Sequence, residues 1–155
     1  MELQCVEQPV PMEISRLESI SLKEDYLIKL WENYITDNIV ESKPCEIGIF
    51  DWKSRRRIIA SDHFRISKVE LDQIADGVTY PDRIYRNGLT INGKNYNVQL
   101  ADGKNGIFAR IGTDGCTICK TFTYIIICLN DERVKSSKCN EDVMKLGDFL
   151  RRLGL

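Results

Sequence analysis

The chain has 155 residues, 43% hydrophobic and 29% charged, with 22 basic and 23 acidic side chains for a formal charge of −1. That is the size and mix of one soluble globular domain with a sizeable core, and the balanced charge argues against a nucleic-acid partner. The longest apolar run, Tyr124 to Leu129, is six residues, against the about 20 that span a bilayer, so no transmembrane helix is expected.

Residues 1–22 hold Pro9 and Pro11 and keep no sustained hydrophobic period, which predicts a flexible N-terminal extension. Residues 23–155 then make the folded domain. Leu27, Leu30, Trp31, Tyr34, Ile35 and Asn38 recur at three- and four-residue steps, so a helix is predicted from Lys23 to near Val40. Ser21 with Glu24 supplies a capping box for it. Two short strands, 45–51 and 57–61, flank the charged stretch 53–56. Ser67 and Glu70 form a second capping box, opening a helix whose buried side is read as Val69, Ile74 and Val78. Pro81 ends or interrupts it, with a further turn over 82–85.

After Asn87-Gly88 the period changes to two. Asn92-Gly93 between 89–91 and 94–101 is a strong hairpin signal. Further strands are predicted at 106–111, 116–121 and 123–129, with Asp102-Gly103 and Asp114-Gly115 supplying turns. Residues 138–153 are helical again, with Val143, Leu146, Leu150 and Leu153 on one side; Leu155 is not accounted for by helix packing. The order reads α+β, an antiparallel sheet whose terminal helices are free to cover one face.

No catalytic constellation emerges. His63 is the single histidine and falls in a predicted loop. Cys116 and Cys119 form a C-x-x-C, but positions i and i+3 of a strand point to opposite faces, and no second close pair exists to complete a four-thiol zinc site. The N-terminus begins Met1-Glu2 without an apolar stretch, so a cytoplasmic location is expected. There the six cysteines are expected as free thiols with neither disulfide, metal nor cofactor. The glycines match no phosphate-binding loop. Trp31 and Tyr34 share one side of the first helix, and with Phe149, Leu150 and Leu155 they can converge on one apolar patch. Core packing is the plain explanation for such residues; a groove for a polyproline II ligand is the functional one. Lys53, Arg55, Arg56 and Arg57 read as a solvated hairpin tip or as a contact for anionic lipid headgroups.

These residues together resemble the profilin family. The carriers are Trp31-Glu32-Asn33-Tyr34-Ile35, Asn87-Gly88-Leu89, Asn92-Gly93-Lys94-Asn95-Tyr96, Lys120-Thr121, the apolar strand 124–128, Cys139, 145–150 and Leu153-Gly154-Leu155. They fall in family order and spacing from Leu30 onward, and 107–124 is most similar to the divergent testis-type profilin. The resemblance implies a profilin-like central antiparallel sheet with N- and C-terminal helices on one face and short helices on the other. It implies a non-enzymatic, cytoskeleton-associated regulator that binds actin monomers, proline-rich proteins and acidic phospholipids. Carried over by residue, Trp31, Tyr34, Phe149, Leu150 and Leu155 would hold the proline ligand, and Arg110, Lys138 and Glu141 would contact actin. The family's second-strand tryptophan is replaced by Ile58 or Ile59, with Trp52 displaced towards the hairpin. Ile111-Gly112-Thr113-Asp114 replaces lysines, and Asn95 and Leu100 replace basic positions, which implies weakened actin affinity. Two alternatives stay open: a lipid- or scaffold-binding relative with little actin binding, and a thiol-dependent enzyme using Cys116 or Cys119.

Overall fold

The strands are β1 (Glu46–Asp51), β2 (Arg57–Ala60), β3 (Leu89–Ile91), β4 (Lys94–Ala101), β5 (Gly106–Ile111), β6 (Asp114–Lys120) and β7 (Tyr124–Asn130). They form one antiparallel sheet in the order β2-β1-β7-β6-β5-β4-β3. This computed structural model describes Asp25, Ile28, Lys29 and residues 45–103 and 106–155. Residues 38–155 form one compact unit and residues 1–37 another. In the latter, Asp25, Ile28 and Lys29 are helical; the rest of the predicted first helix, with Trp31 and Tyr34, lies outside the described residues. The described helices of the larger unit are α1 (Lys68–Thr79), α2 (Pro81–Asn87) and α3 (Ser136–Arg152). None of the described helices is long and apolar enough to cross a membrane.

Strand alternation gives the sheet two buried faces. On one, Phe50, Cys116, Ile118, Ile125 and Ile127 join Leu71, Ile74, Ala75 and Val78 of α1 and Ile84 of α2 in the main core. The intervening residues Ile47, Ile49, Cys119, Ile126 and Cys128 are buried on the other face, where α3 contacts β6 and β7. The short helices and α3 thus lie on opposite faces. With both faces covered, β7 reads as a continuous apolar run rather than as an alternation.

Several local expectations shift. Val69 is 67% exposed, because the buried stripe of α1 is Leu71, Ile74, Ala75 and Val78 and Val69 falls off it. Pro81 interrupts the helical run as expected, α1 ending at Thr79, but the further turn is longer than 82–85: Pro81 opens α2, at a position that needs no N–H. Asp114-Gly115 lies within β6; the turn is Gly112-Thr113, between the paired residues Ile111 and Asp114, with Gly112 at φ +59°. Leu153 is exposed, because α3 closes at Arg152 in a Schellman cap. Gly154, at φ +82°, donates to the Arg151 carbonyl and Leu155 donates to the Leu150 carbonyl. That reversal returns Leu155 to the buried side, at the position such caps pair with Leu150, which accounts for its burial.

The Ser67 capping box forms as read, with Glu70 N donating to Ser67 Oγ at 3.1 Å and Ser67 N donating to Glu70 Oε1 at 3.0 Å. The same carboxylate accepts from Asn92 N and Gly93 N, each at 2.9 Å, tying the helix start to the hairpin tip. Partial burial pushes the Glu70 carboxyl up, but the donated backbone N–H bonds outweigh it and hold it below the usual range. A depressed folded-state value means stability present above the ordinary glutamate range and lost as pH falls through the folded value. Glu70→Gln is therefore expected to cost about 1–2 kcal/mol at pH 7 and progressively less towards pH 3. Denaturant midpoints at the two pH values check this; an equal deficit at both refutes it.

Candidate functional site

α3 brings most of the described candidate residues together. Its buried stripe, Cys139, Val143, Leu146, Gly147 and Leu150, follows the three- and four-residue steps of one helix face. Met144 lies over Gly106 at the start of β5, and Ser136 lies over Gly115 in β6. Gly106 and Arg110 are four apart along β5 and so share the α3 face. Arg110 pairs in register with Gly115, which places the exposed arginine beside the first turn of α3. Lys138 and Glu141 are exposed in the first two turns of that helix. Lys138 forms an ion pair with Asp142 at 3.1 Å, and Glu141 pairs with Lys145 at 3.2 Å. Both pairs are solvent-screened and readily exchanged for a partner's charges.

The far end of α3 carries the apolar candidates. Leu150 and Leu155 are buried, at 0% and 3% exposure, whereas Phe149 is half-buried with the Arg152 guanidinium 5.9 Å from its ring centroid. Of these three, Phe149 offers surface and the two leucines support it. Sequence reasoning missed Phe122, which is 65% exposed in the β6–β7 turn and whose N–H donates to the Leu155 carbonyl at 3.0 Å. An aromatic between two threonines carried no periodic signal; only the folded hairpin brings it to the end of α3.

The basic run divides. Lys53, Arg56 and Arg57 are exposed. Arg55 takes a positive φ, pairs with Asp72 at 3.0 Å, donates to the Trp52 carbonyl and lies 5.3 Å from the indole centroid. Arg55 is thus committed to fixing the β1–β2 turn on α1. Trp52 is half-buried at the end of β1, with Lys120 Nζ 4.6 Å from its ring, and Ile58 and Ile59 are half-buried in β2.

Cys116 belongs to the main core and Cys119 Sγ lies against Gly147 of α3, so the C-x-x-C points to opposite faces as expected. Burial pushes both thiols up, the reverse of what a nucleophile needs. His63 is exposed. Cys45 differs: thiol hydrogen bonds from Cys128 and Cys139 pull it well below the ordinary range against the effect of burial.

A family model described as Profilin matches residues 29–155. Profilin-4 of Bos taurus is 26% identical over 125 residues, covering 79% of this chain and 96% of the relative. Profilin-1 of Dictyostelium discoideum is 26% identical over 124 residues, covering 80% and 98%. Among solved structures, the profilin of Schizosaccharomyces pombe superposes with a TM-score of 0.72 at 19% identity, covering 81% of this chain and 99% of that one. Mouse profilin IIa, solved in complex with a double repeat from the FH1 domain of mDia1, superposes at 0.62 with 18% identity, covering 81% and 99%.

Proposed function

The chain belongs to the profilin family, a non-enzymatic family whose members bind actin and poly-proline, and we propose that it binds actin monomers and proline-rich ligands on separate surfaces. The observation that carries this reading is the family match, which runs from residue 29 through the end of α3. The proline ligand is assigned to Trp31, Tyr34, Phe149, Leu150 and Leu155, with Leu150 and Leu155 buried beside the half-buried Phe149. Phe122 is added to that surface on account of its exposure beside Leu155. Arg110, Lys138 and Glu141 are assigned to actin, an assignment supported by their common position around the start of α3. Weaker actin affinity is part of the proposal, because Ile111, Gly112, Thr113 and Asp114 stand where basic residues would add charge, and Asp114 is itself paired with Lys94. Within the family, the pattern over 107–124 supports a place near the divergent testis-type profilin. Cytoplasmic work at the actin cytoskeleton follows from the same reading.

Two variants of the full chain test the separation. Trp31→Ala is expected to weaken a proline-rich peptide by at least about 30-fold, since a stacking hot spot contributes about 2 kcal/mol or more. Arg110→Ala is expected to leave peptide affinity unchanged and to weaken actin monomer binding by about 10-fold, as for an exposed interface charge. Peptide titration by calorimetry, whose signal survives the loss of Trp31, and actin monomer titration read the two surfaces. No saturable response to millimolar peptide would remove the proline assignment. Binding of acidic phospholipid vesicles through the exposed Lys53, Arg56 and Arg57 would then be the expected activity.

A further inference from the structure

Three cysteines far apart in the sequence converge on the α3 face of the sheet. Cys45 immediately precedes β1, Cys128 lies in β7 and Cys139 lies in the first turn of α3. The β1–β7 register sets Ile47 opposite Cys128. Cys45, two residues before Ile47, projects from the same face and meets Cys128 diagonally. α3 then lays Cys139, the first residue of its buried stripe, over both. The three Sγ atoms all lie within 4.8 Å of one another, with Cys45 and Cys139 3.4 Å apart. All three are free thiols; Cys128 and Cys139 are buried, and Cys45 is half-buried. The sulfurs therefore form a triangle closed on two sides by the fold and open towards solvent at Cys45.

This is the ligand geometry of a thiophilic cation. Zinc–sulfur bonds of about 2.3 Å, in trigonal or tetrahedral arrangement, hold thiolates about 3.8–4.0 Å apart. The Cys45–Cys139 separation is a few tenths of an ångström shorter than that spacing and no pair exceeds 4.8 Å, so closing around an ion needs only side-chain adjustment. Soft thiolates select zinc-like or monovalent copper ions over hard cations. Charge separates these two: three thiolates around a divalent ion leave a net −1, and around a monovalent ion −2. With two of the three ligands buried, the smaller residual charge is the less costly to desolvate. We propose that Cys45, Cys128 and Cys139 form a binding site for one divalent thiophilic d10 cation such as zinc, with its fourth position open to water on the Cys45 side. The site uses neither cysteine of the C-x-x-C. It depends on no assumption about actin or proline-rich ligands.

The test uses the reduced full-length chain, titrated with Zn²⁺ against a chromogenic chelator and with Co²⁺ for its thiolate charge-transfer absorption. One equivalent of each ion is expected to bind. Cys45→Ser, at the half-buried position, is expected to weaken Zn²⁺ by more than about 100-fold, beyond the loss typical of an outer-shell partner, and to abolish the charge-transfer band. Cys139→Ser is expected to do the same, and Cys119→Ser to leave both intact, with circular dichroism confirming that each variant is folded. Failure of the reduced wild type to bind stoichiometric Zn²⁺ would overturn the site, as would unchanged binding in folded Cys45→Ser. One equivalent of Cu⁺ with no Zn²⁺ would overturn the divalent assignment. A Cys45–Cys139 disulfide in protein kept without reductant, coupled to no Zn²⁺ binding once reduced, would show a redox pair instead.

Discussion

Asn130→Asp is expected to lower the unfolding free energy by about 3–5 kcal/mol at neutral pH, the range for an uncompensated buried charge, although the two side chains have nearly the same shape. Asn130 is 4% exposed at the end of β7. Its Nδ2 donates to the carbonyls of Asp131 and Val134 at 3.2 and 3.0 Å and to Ser136 Oγ at 3.4 Å. Those bonds fold the 131–135 connection into the first turn of α3. Among the described residues, Asn130 Oδ1 is the one buried side-chain polar atom without a partner, so donation rather than acceptance is what the site uses. A carboxylate would set a second acceptor and a charge against two carbonyl oxygens. Its folded-state value would be raised, so the deficit should deepen as pH climbs through that value and shrink below about 4, where the neutral acid can donate. Urea unfolding at pH 7 and pH 4 reads both parts; an unchanged midpoint at pH 7 would refute the role given to Nδ2.

Gly147→Leu should cost about 3 kcal/mol, at the upper end of ordinary overpacking. A Cβ at Gly147 would meet Cys119 Sγ inside the 3.0 Å that real Cβ atoms keep, while Cys119 Cβ would stand at an ordinary 3.7 Å. The close approach of α3 to β6 therefore depends on a glycine facing a small side chain. Gly147→Ala alone combines a helix-propensity gain of about 1 kcal/mol with that collision. In a Cys119→Ala background the collision is gone and the same substitution should be neutral or stabilising. A double-mutant cycle on denaturation midpoints tests it, and strict additivity of the two changes would show that Sγ is not the obstacle.

Features encoded by neighbouring residues were legible in the sequence. Ser67 and Glu70 announce a helix start because both halves of the capping box lie within one turn. Asn92-Gly93 announces its hairpin because positive φ is needed there, and Asn92 and Gly93 both adopt it. The opposite faces of Cys116 and Cys119 follow from strand geometry alone. Asp114-Gly115 misled because Gly112, two residues earlier, satisfies the turn, leaving Asp114 to pair with Lys94 across the sheet. Glu70's second task at the hairpin tip, the Cys45–Cys128–Cys139 triangle and Phe122 beside Leu155 all depend on register between distant segments. No short motif marks them. Leu155 was the intermediate case: its burial follows from a local cap, but Leu-Gly-Leu reads as a Schellman motif only once α3 is known to end at Arg152.

The position of β1 also constrains how the chain can be assembled. β2 follows within a short turn, but the other flank of β1 is β7, which begins only at Tyr124. During synthesis, the 46–60 hairpin must wait with one strand's hydrogen-bonding groups open and with Ile47 and Ile49 unburied. Meanwhile β3 through β7, each pairing with its immediate successor, can zip up locally. The entropy of closing so long a loop makes the late, long-range β1–β7 pairing the slow event. The waiting hairpin is then open to mispairing in the nascent chain, since an open apolar strand edge is a template for pairing with the wrong molecule.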